Sequence, residues 1–184
     1  MEDAELVRRI LNGHREDYGQ LVARYERRLF RYALGMLRDA DAAADIVQDS
    51  FVKSFGSLKT CREPAKFGSW IFRIVRNRCT DYLKAHRQRD RPLREGLDVC
   101  GDVDESERDV VRREIGEIMS AALAQLPESH REVFLLKHVE ELSYEEISAL
   151  LDVGISALKM RVARSRDALR ESLRDSGFSS IGEM

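Results

Sequence analysis

The chain has 184 residues, with 31 Lys and Arg against 33 Asp and Glu, 35% charged and 43% hydrophobic residues. That balance is too apolar for wholesale disorder and too charged for one large core, so it suits one medium domain or two small ones. Only 3 prolines and 11 glycines argue against a turn-dense all-β architecture, and no uncharged apolar run approaches the roughly 18 residues of a membrane helix.

Met1-Glu2-Asp3-Ala4-Glu5 lacks the basic start and apolar stretch of a secretory signal, so a cytoplasmic protein without membrane insertion is expected. The three cysteines, Cys61, Cys79 and Cys100, form no CxxC pair. An odd count of this kind suits buried or incidental thiols better than a disulfide framework or a metal site. Neither a metal nor a cofactor is expected.

The first predicted element is a helix from Asp17 to Arg38. Leu21, Val22, Tyr25, Leu29, Ala33, Met36 and Leu37 recur at three-to-four spacing along it. Asp39 or Asp41 can cap a second helix with Ile46, Val47, Phe51 and Phe55 as its apolar positions. Asp45, Gln48 and Asp49 lie on another side of that helix. An acidic polar face suits a basic protein partner, or it is simply a solvated surface.

Gly56, Pro64 and Gly68 mark residues 56–69 as a loop, after which Ser69 caps a helix from Trp70 to about Arg87. At about 100° per residue, Arg76, Asn77, Thr80, Lys84 and Arg87 fall within about 60° of Arg73. Ile71, Ile74, Val75 and Tyr82 fall opposite. Arginine and lysine on such a stripe can neutralise phosphates, while Asn77 and Thr80 are short enough to reach base edges. Trp70 flanks the stripe, where it can stack on an unpaired base or pack into the core. Arg78 faces the apolar side and is expected to pair with a buried carboxylate.

Residues 88–114 lose the pattern: Arg89-Asp90-Arg91-Pro92 breaks the helix, and Gly96 to Asp109 is acidic, as in an interdomain linker. A second helical block runs from about Ile115 to Arg174. Leu126-Pro127 interrupts it, with Pro127 suited to a first helical turn, and Val133, Phe134, Leu136 and Val139 form the next apolar stripe. Ser143-Tyr144-Glu145-Glu146 reads as a capping box, followed by Ile147, Leu150 and Leu151. Asp152-Val153-Gly154 is a short turn, a last helix spans about Ser156 to Arg174, and Asp175 to Met184 reads as a frayed tail. The spacing over 143–167 is that of a helix-turn-helix. Leu158, Val162 and Leu169 form the buried stripe of its second helix. Ser156, Met160, Ala163 and Arg164 lie opposite, flanked by Lys159 and Arg161, with Arg166 and Arg170 suited to a nucleic-acid backbone. Helix pairs of this kind also occur without binding DNA; the basic outward face favours DNA.

Charge sharpens this division. Residues 1–90 sum to +5, 91–116 to −3 and 117–184 to −4, yet Arg73 to Arg91 holds seven basic residues and Lys159 to Arg174 holds six, each with only two acids. Two separated basic helices in an acidic chain suggest two contacts with a polyanion, or two solvated faces. The expected fold is all-α, with two small helical domains, residues 1–90 and 115–184, joined by a flexible acidic linker at 91–114.

These segments together resemble the bacterial sigma factors of the extracytoplasmic-function group of the sigma-70 family. Asp45-Ile46-Val47-Gln48-Asp49-Ser50-Phe51-Val52-Lys53 resembles the core-polymerase-binding motif. Phe67-Gly68-Ser69-Trp70-Ile71-Phe72-Arg73 and onward to Leu83 resembles the promoter-melting, −10-reading helix. Leu126-Pro127-Glu128 through Phe134, then Leu142-Ser143-Tyr144-Glu145-Glu146-Ile147, resembles the opening of sigma domain four. Lys159-Met160-Arg161-Val162-Ala163-Arg164-Ser165-Arg166 resembles the −35 recognition helix. Two departures stand out: Asp152 replaces a usual glycine, and Gly154-Ile155-Ser156-Ala157 stands where a Gly-Thr pair often precedes the helix.

The resemblance implies roles. Asp45, Gln48, Asp49 and Val52 would dock on the clamp helices of the polymerase's largest subunit, and the polymerase flap would be a further contact. Trp70, Arg73, Arg76, Asn77, Thr80 and Lys84, with the loop from Leu58 to Phe67, would bind the −10 non-template strand, Asn77 nearest a flipped base. Ser156, Lys159, Met160, Arg161, Ala163, Arg164 and Arg166 would face the −35 element. An anti-sigma factor would be the regulator, and the free chain would be a monomer.

A net charge of −2 predicts weak binding to duplex DNA by the chain alone, since counterion release supplies most non-specific affinity. Two modest modules gain from their tether only when a scaffold holds both sites at the right separation. A stand-alone helix-turn-helix regulator with an N-terminal sensing or dimerisation lobe is the competing reading, predicting a dimer and specific duplex binding without polymerase. An enzyme is the third: there is no P-loop, GxSxG or HExxH, and His14, His86, His130 and His138 sit on separate segments.

Overall fold

The computed structural model describes residues 1–88, 116 and 118–175, all in helices, short turns and connecting loops. The expected acidic linker at 91–114, Cys100 and the tail beyond Asp175 lie outside the described residues. The chain divides into two compact units, Met1–Leu93 and Arg94–Met184.

The first unit opens on a helix absent from the sequence reading, α1 (Asp3–Leu11), which buries Leu6, Val7 and Ile10. Its first turn carries Asp3 and Glu5 and its last Arg8 and Arg9, both matched to the helix dipole. A 3₁₀ turn, Arg15–Asp17, leads into α2 (Tyr18–Leu37). Asp17 is buried there and joins the two helices, accepting from Arg9 Nε at 2.6 Å and from Gln20 Nε2 at 3.1 Å. α2 buries Leu21, Leu29, Ala33, Met36 and Leu37 as its periodicity predicts, together with Tyr32 and Leu34, while Val22 and Tyr25 are only half-buried. It ends at Arg38 in the left-handed region, φ 58°.

Asp39 then caps α3 (Ala40–Gly56) by accepting from the Ala42 amide at 2.9 Å. The α3 face toward α2 is tied by polar groups as well as apolar ones. The Tyr18 hydroxyl donates to the Phe51 carbonyl at 2.9 Å and meets the buried Ser54 hydroxyl. Ser50, also buried, donates to the Ile46 carbonyl at 2.6 Å. Phe55 departs from its expected core position: it is 38% exposed, its ring edge-on to Tyr18.

The segment after α3 is not an unstructured loop. It makes two 3₁₀ turns, Leu58–Thr60 and Pro64–Lys66, and the second runs straight into α4 (Phe67–Gln88). Ser69 is therefore an exposed residue inside α4 and not its cap. The reason is Pro64, whose fixed φ starts the helical path earlier than the side-chain chemistry of Ser69 suggests. α4 buries Phe67, Ile71, Phe72, Val75, Cys79 and Leu83 against α2 and α3. Ile74 and Tyr82, expected opposite the basic stripe, are half-buried at its margin.

In the second unit, residues 118–125 are helical (α5) and Ala122, Leu123 and Leu126 are buried. Pro127 occupies the cap position of α6 (Glu128–Phe134), one residue before the first turn expected for it. α6 continues into a π-helical turn, Leu135–Val139. The wider turn shifts the phase of the apolar stripe: Leu135 is buried, whereas Phe134 and Val139 are half-buried.

The capping box forms as read. Ser143 Oγ accepts from the Glu146 amide at 3.1 Å, and Glu146 Oε2 accepts from the Ser143 amide at 2.8 Å, opening α7 (Tyr144–Leu151). Asp152 ends α7 at φ 56°, a left-handed position that Asp tolerates better than most side chains. That is how the turn keeps its shape without a glycine. α8 (Ile155–Asp175) starts one residue before the expected Ser156. It buries Leu158, Val162, Ser165 and Leu169 against α6 and α7, and Ser165 Oγ donates to the carbonyls of His130 and Arg161 at 3.1 and 2.8 Å.

Candidate functional site

Three surfaces gather the residues singled out in the sequence. On α3, Asp45, Gln48, Asp49 and Val52 are spaced by three and four residues, share one side and are all exposed, Val52 at 70%. Beside them lies a feature the sequence reading missed: a largely apolar groove of about 780 Å³ between α2 and α3. Val22, Phe30, Val47 and Phe51 are among its lining residues, with Gln48, Val52 and Phe55. The available signal was the pair Val52 and Phe55 next to a polar face, since exposed large apolar groups mark contact surfaces.

On α4, Arg73, Asn77 and Lys84 are exposed, while Trp70, Arg76 and Thr80 are half-buried along the same side. Trp70 rests against the buried Phe67 with ring centroids 5.7 Å apart, so its indole is braced and still partly open to solvent. Arg78 does pair with a carboxylate, but not a buried one: its partner is Asp49, whose side chain is 63% exposed. The acidic side of α3 is thereby linked to α4. The sequence misleads here because α3 and α4 converge only in the tertiary fold.

On α8, Ser156, Lys159, Met160, Ala163, Arg164 and Arg166 are exposed and Arg161 is half-buried. Small Ser156 and Ala163 between cations let the helix backbone come close to a groove, and Met160, 55% exposed, offers an apolar contact. Lys137 and Lys159 both approach the Tyr144 ring, at 5.0 and 5.7 Å from its centroid, which adds positive charge beside α8. His138 is held below its ordinary value by burial first, then by Arg166 and Lys137.

Cys61 and Cys79 are buried and joined in no disulfide, and burial raises the Cys61 thiol, which keeps it in its less reactive form. Among the described residues, no group of three or more His, Cys, Asp or Glu side chains is arranged to hold a metal ion. No helix among them is long and apolar enough to cross a membrane.

Known proteins share both units. Residues 21–89 match Sigma-70 region 2, and residues 116–169 match Sigma-70, region 4, together about two thirds of the chain. The chain is 28% identical to the RNA polymerase sigma-H factor of Pseudomonas aeruginosa, covering 94% of each. It is 27% identical to the ECF RNA polymerase sigma factor SigW of Bacillus subtilis, covering 92% of this chain and 95% of that one. Among solved structures, CnrH in complex with the cytosolic domain of CnrY superposes with a TM-score of 0.71 at 27% identity, covering 94% of this chain and 97% of that one. The chain belongs to the sigma-70 family, in its extracytoplasmic-function group. It is a sigma factor that directs promoter-specific transcription initiation with core RNA polymerase.

Proposed function

We propose that the three surfaces divide the work of initiation. Asp45, Gln48, Asp49 and Val52 dock on the clamp helices of the polymerase's largest subunit. Trp70, Arg73, Arg76, Asn77, Thr80 and Lys84 take the −10 non-template strand as it leaves the duplex. Ser156, Lys159, Met160, Arg161, Ala163, Arg164 and Arg166 face the −35 major groove. Residues 1–90 and 115–184 are the two working domains, and 91–114 tether them.

The observation that carries this reading is the segregation of chemistry. An acidic, partly apolar face stands on α3, a basic face with an aromatic on α4, and a basic face with small residues on the second helix of a helix-turn-helix. An acidic face repels phosphates and suits protein; a basic face with an aromatic suits unpaired bases; small residues among cations suit a major groove. Unpaired bases captured as they unstack offset a melting cost of a few kcal/mol per step, so no nucleotide hydrolysis by this chain is needed and it acts without catalysis of its own.

Control by an anti-sigma factor is part of the reading, supported by the similarity to CnrH, solved with the cytosolic domain of CnrY. The site of action is the cytoplasm, and the free chain is a monomer. Run-off transcription on a promoter library, with core polymerase present or omitted, tests the proposal. Initiation at a defined subset of promoters is expected only when both are added. Sequence-specific duplex binding by the chain alone, as a dimer, would instead favour the stand-alone regulator.

A further inference from the structure

We propose that α1 is a brace for the −10 surface: Asp3, through Tyr25, sets the start of α4 and with it the position of Trp70. The functional part of this inference rests on Trp70 touching the unpaired strand.

The contacts form an unbroken chain. Asp3 accepts from two consecutive residues of α2, the Tyr25 hydroxyl on Oδ2 and Arg24 Nη1 on Oδ1. Arg24 also donates to the Met1 carbonyl at 2.8 Å, which ties down the residues leading into α1. The Asp3 side chain is only 13% exposed, so this is a sheltered, doubly satisfied carboxylate and not a mobile surface pair. Burial first, then the Asp3 bond, raises the Tyr25 hydroxyl and keeps it a donor.

Tyr25 in turn lies against the beginning of α4. Its ring is 5.6 Å from Phe67, centroid to centroid, and Phe67 is 5.7 Å from Trp70. The approach to Gly68 leaves no room: a β-carbon there would meet Tyr25 Oη at 2.7 Å and Cε1 at 2.9 Å. Glycine thus lets α4 close on a phenol whose hydroxyl is already held by Asp3. α1 also packs on the Pro64–Lys66 turn, within the loop assigned to the same DNA strand. Both parts of the −10 surface therefore lean on the N-terminal helix.

Because the chain has a single tryptophan, its emission reports on Trp70 alone. The full chain is compared with Gly68→Ala, Tyr25→Phe and Trp70→Ala, with melting curves confirming that each folds. Tyr25→Phe removes only the hydroxyl and keeps the ring, so it serves if Gly68→Ala fails to fold. Acrylamide quenching is read on the free chain. Binding is read on the reconstituted holoenzyme, with single-stranded DNA selected from a randomised pool by the unmodified holoenzyme.

Gly68→Ala is expected to raise quenching about twofold and weaken strand binding about tenfold, and Tyr25→Phe to do both to a smaller degree. Duplex binding through α8 should not change. If Trp70→Ala binds the strand normally, Trp70 does not contact it, and the functional proposal falls with that reading. If Trp70→Ala loses binding while both Gly68→Ala and Tyr25→Phe leave quenching and binding unchanged, the brace alone is refuted.

Discussion

The first unit surrounds its core with helices of 20, 17 and 22 residues, whereas the described part of the second relies on helices of 7 and 8 residues laid against one of 21. Among the described residues, the largest fully buried side chains follow that division: Tyr32, Phe67, Leu6, Leu21, Leu29, Met36, Leu37 and Ile71 in the first unit, against Leu136, Ile147 and Leu158 in the second. Long helices can carry two functions on different sides, and α3 and α4 each bury one stripe and present another. The second unit concentrates its exposed chemistry on α8 and depends on α6 and α7 to hold it. With fewer large buried groups among its described residues, the second unit is expected to be the more sensitive to loss of any one contact.

The largest expected effect tests that ranking directly. Leu158→Ala should cost about 2–5 kcal/mol, the usual range for a buried leucine, and unfold the second unit while the first persists. Leu29→Ala, of similar intrinsic cost, should leave more structure behind. Hydrogen exchange followed residue by residue would distinguish them, and equal losses in both units would reject the ranking.

Next in size is Arg164→Ala. It should remove about 1–3 kcal/mol of upstream-element discrimination while the clamp-helix contact with core polymerase, which is assigned to the first unit, is unaffected. Competition between matched and mismatched −35 duplexes measures it; unchanged promoter choice would remove Arg164 from the reading surface.

Ser143→Ala is expected to cost about 1 kcal/mol by opening one side of the capping box, lowering the melting temperature of the second unit only. A uniform loss over both units would mean that the two do not melt independently.

The smallest effect is on pH. With its proton affinity lowered below the ordinary value of 6.5, His138 binds fewer protons in the folded than in the unfolded chain. Its contribution is present above that pH, is lost as pH falls through it, and levels off below the folded value. Melting of the second unit should therefore weaken modestly on acidification, and His138→Gln should flatten the dependence. The first unit should show no such change on this substitution.

Much of this molecule was legible from local signals. The periodicity of α2, the Asp39 cap, the Ser143–Glu146 box and the α8 stripe of Leu158, Val162 and Leu169 all depend on residues within about two turns of one another, so local rules suffice. Features set by a distant partner were not. α1 has only Leu6, Val7 and Ile10 to bury, and nine residues make a helix only when something covers that face. Pro64 overrode Ser69 at the start of α4, and a π-helical turn moved Leu135 inward.

The same distinction runs through the site. Which residues are exposed on α3 and α8 follows from their spacing of three and four, a property of the helix itself. The groove beside Val52 and Phe55, the Asp49–Arg78 pair and the close fit of Gly68 to Tyr25 exist only because α2, α3 and α4 converge. Sequence alone therefore determined which chemistry each helix carries, because helical periodicity is local. The packed structure decided which chemistries become neighbours, because contact between residues far apart in the chain is chosen by the burial of the whole core.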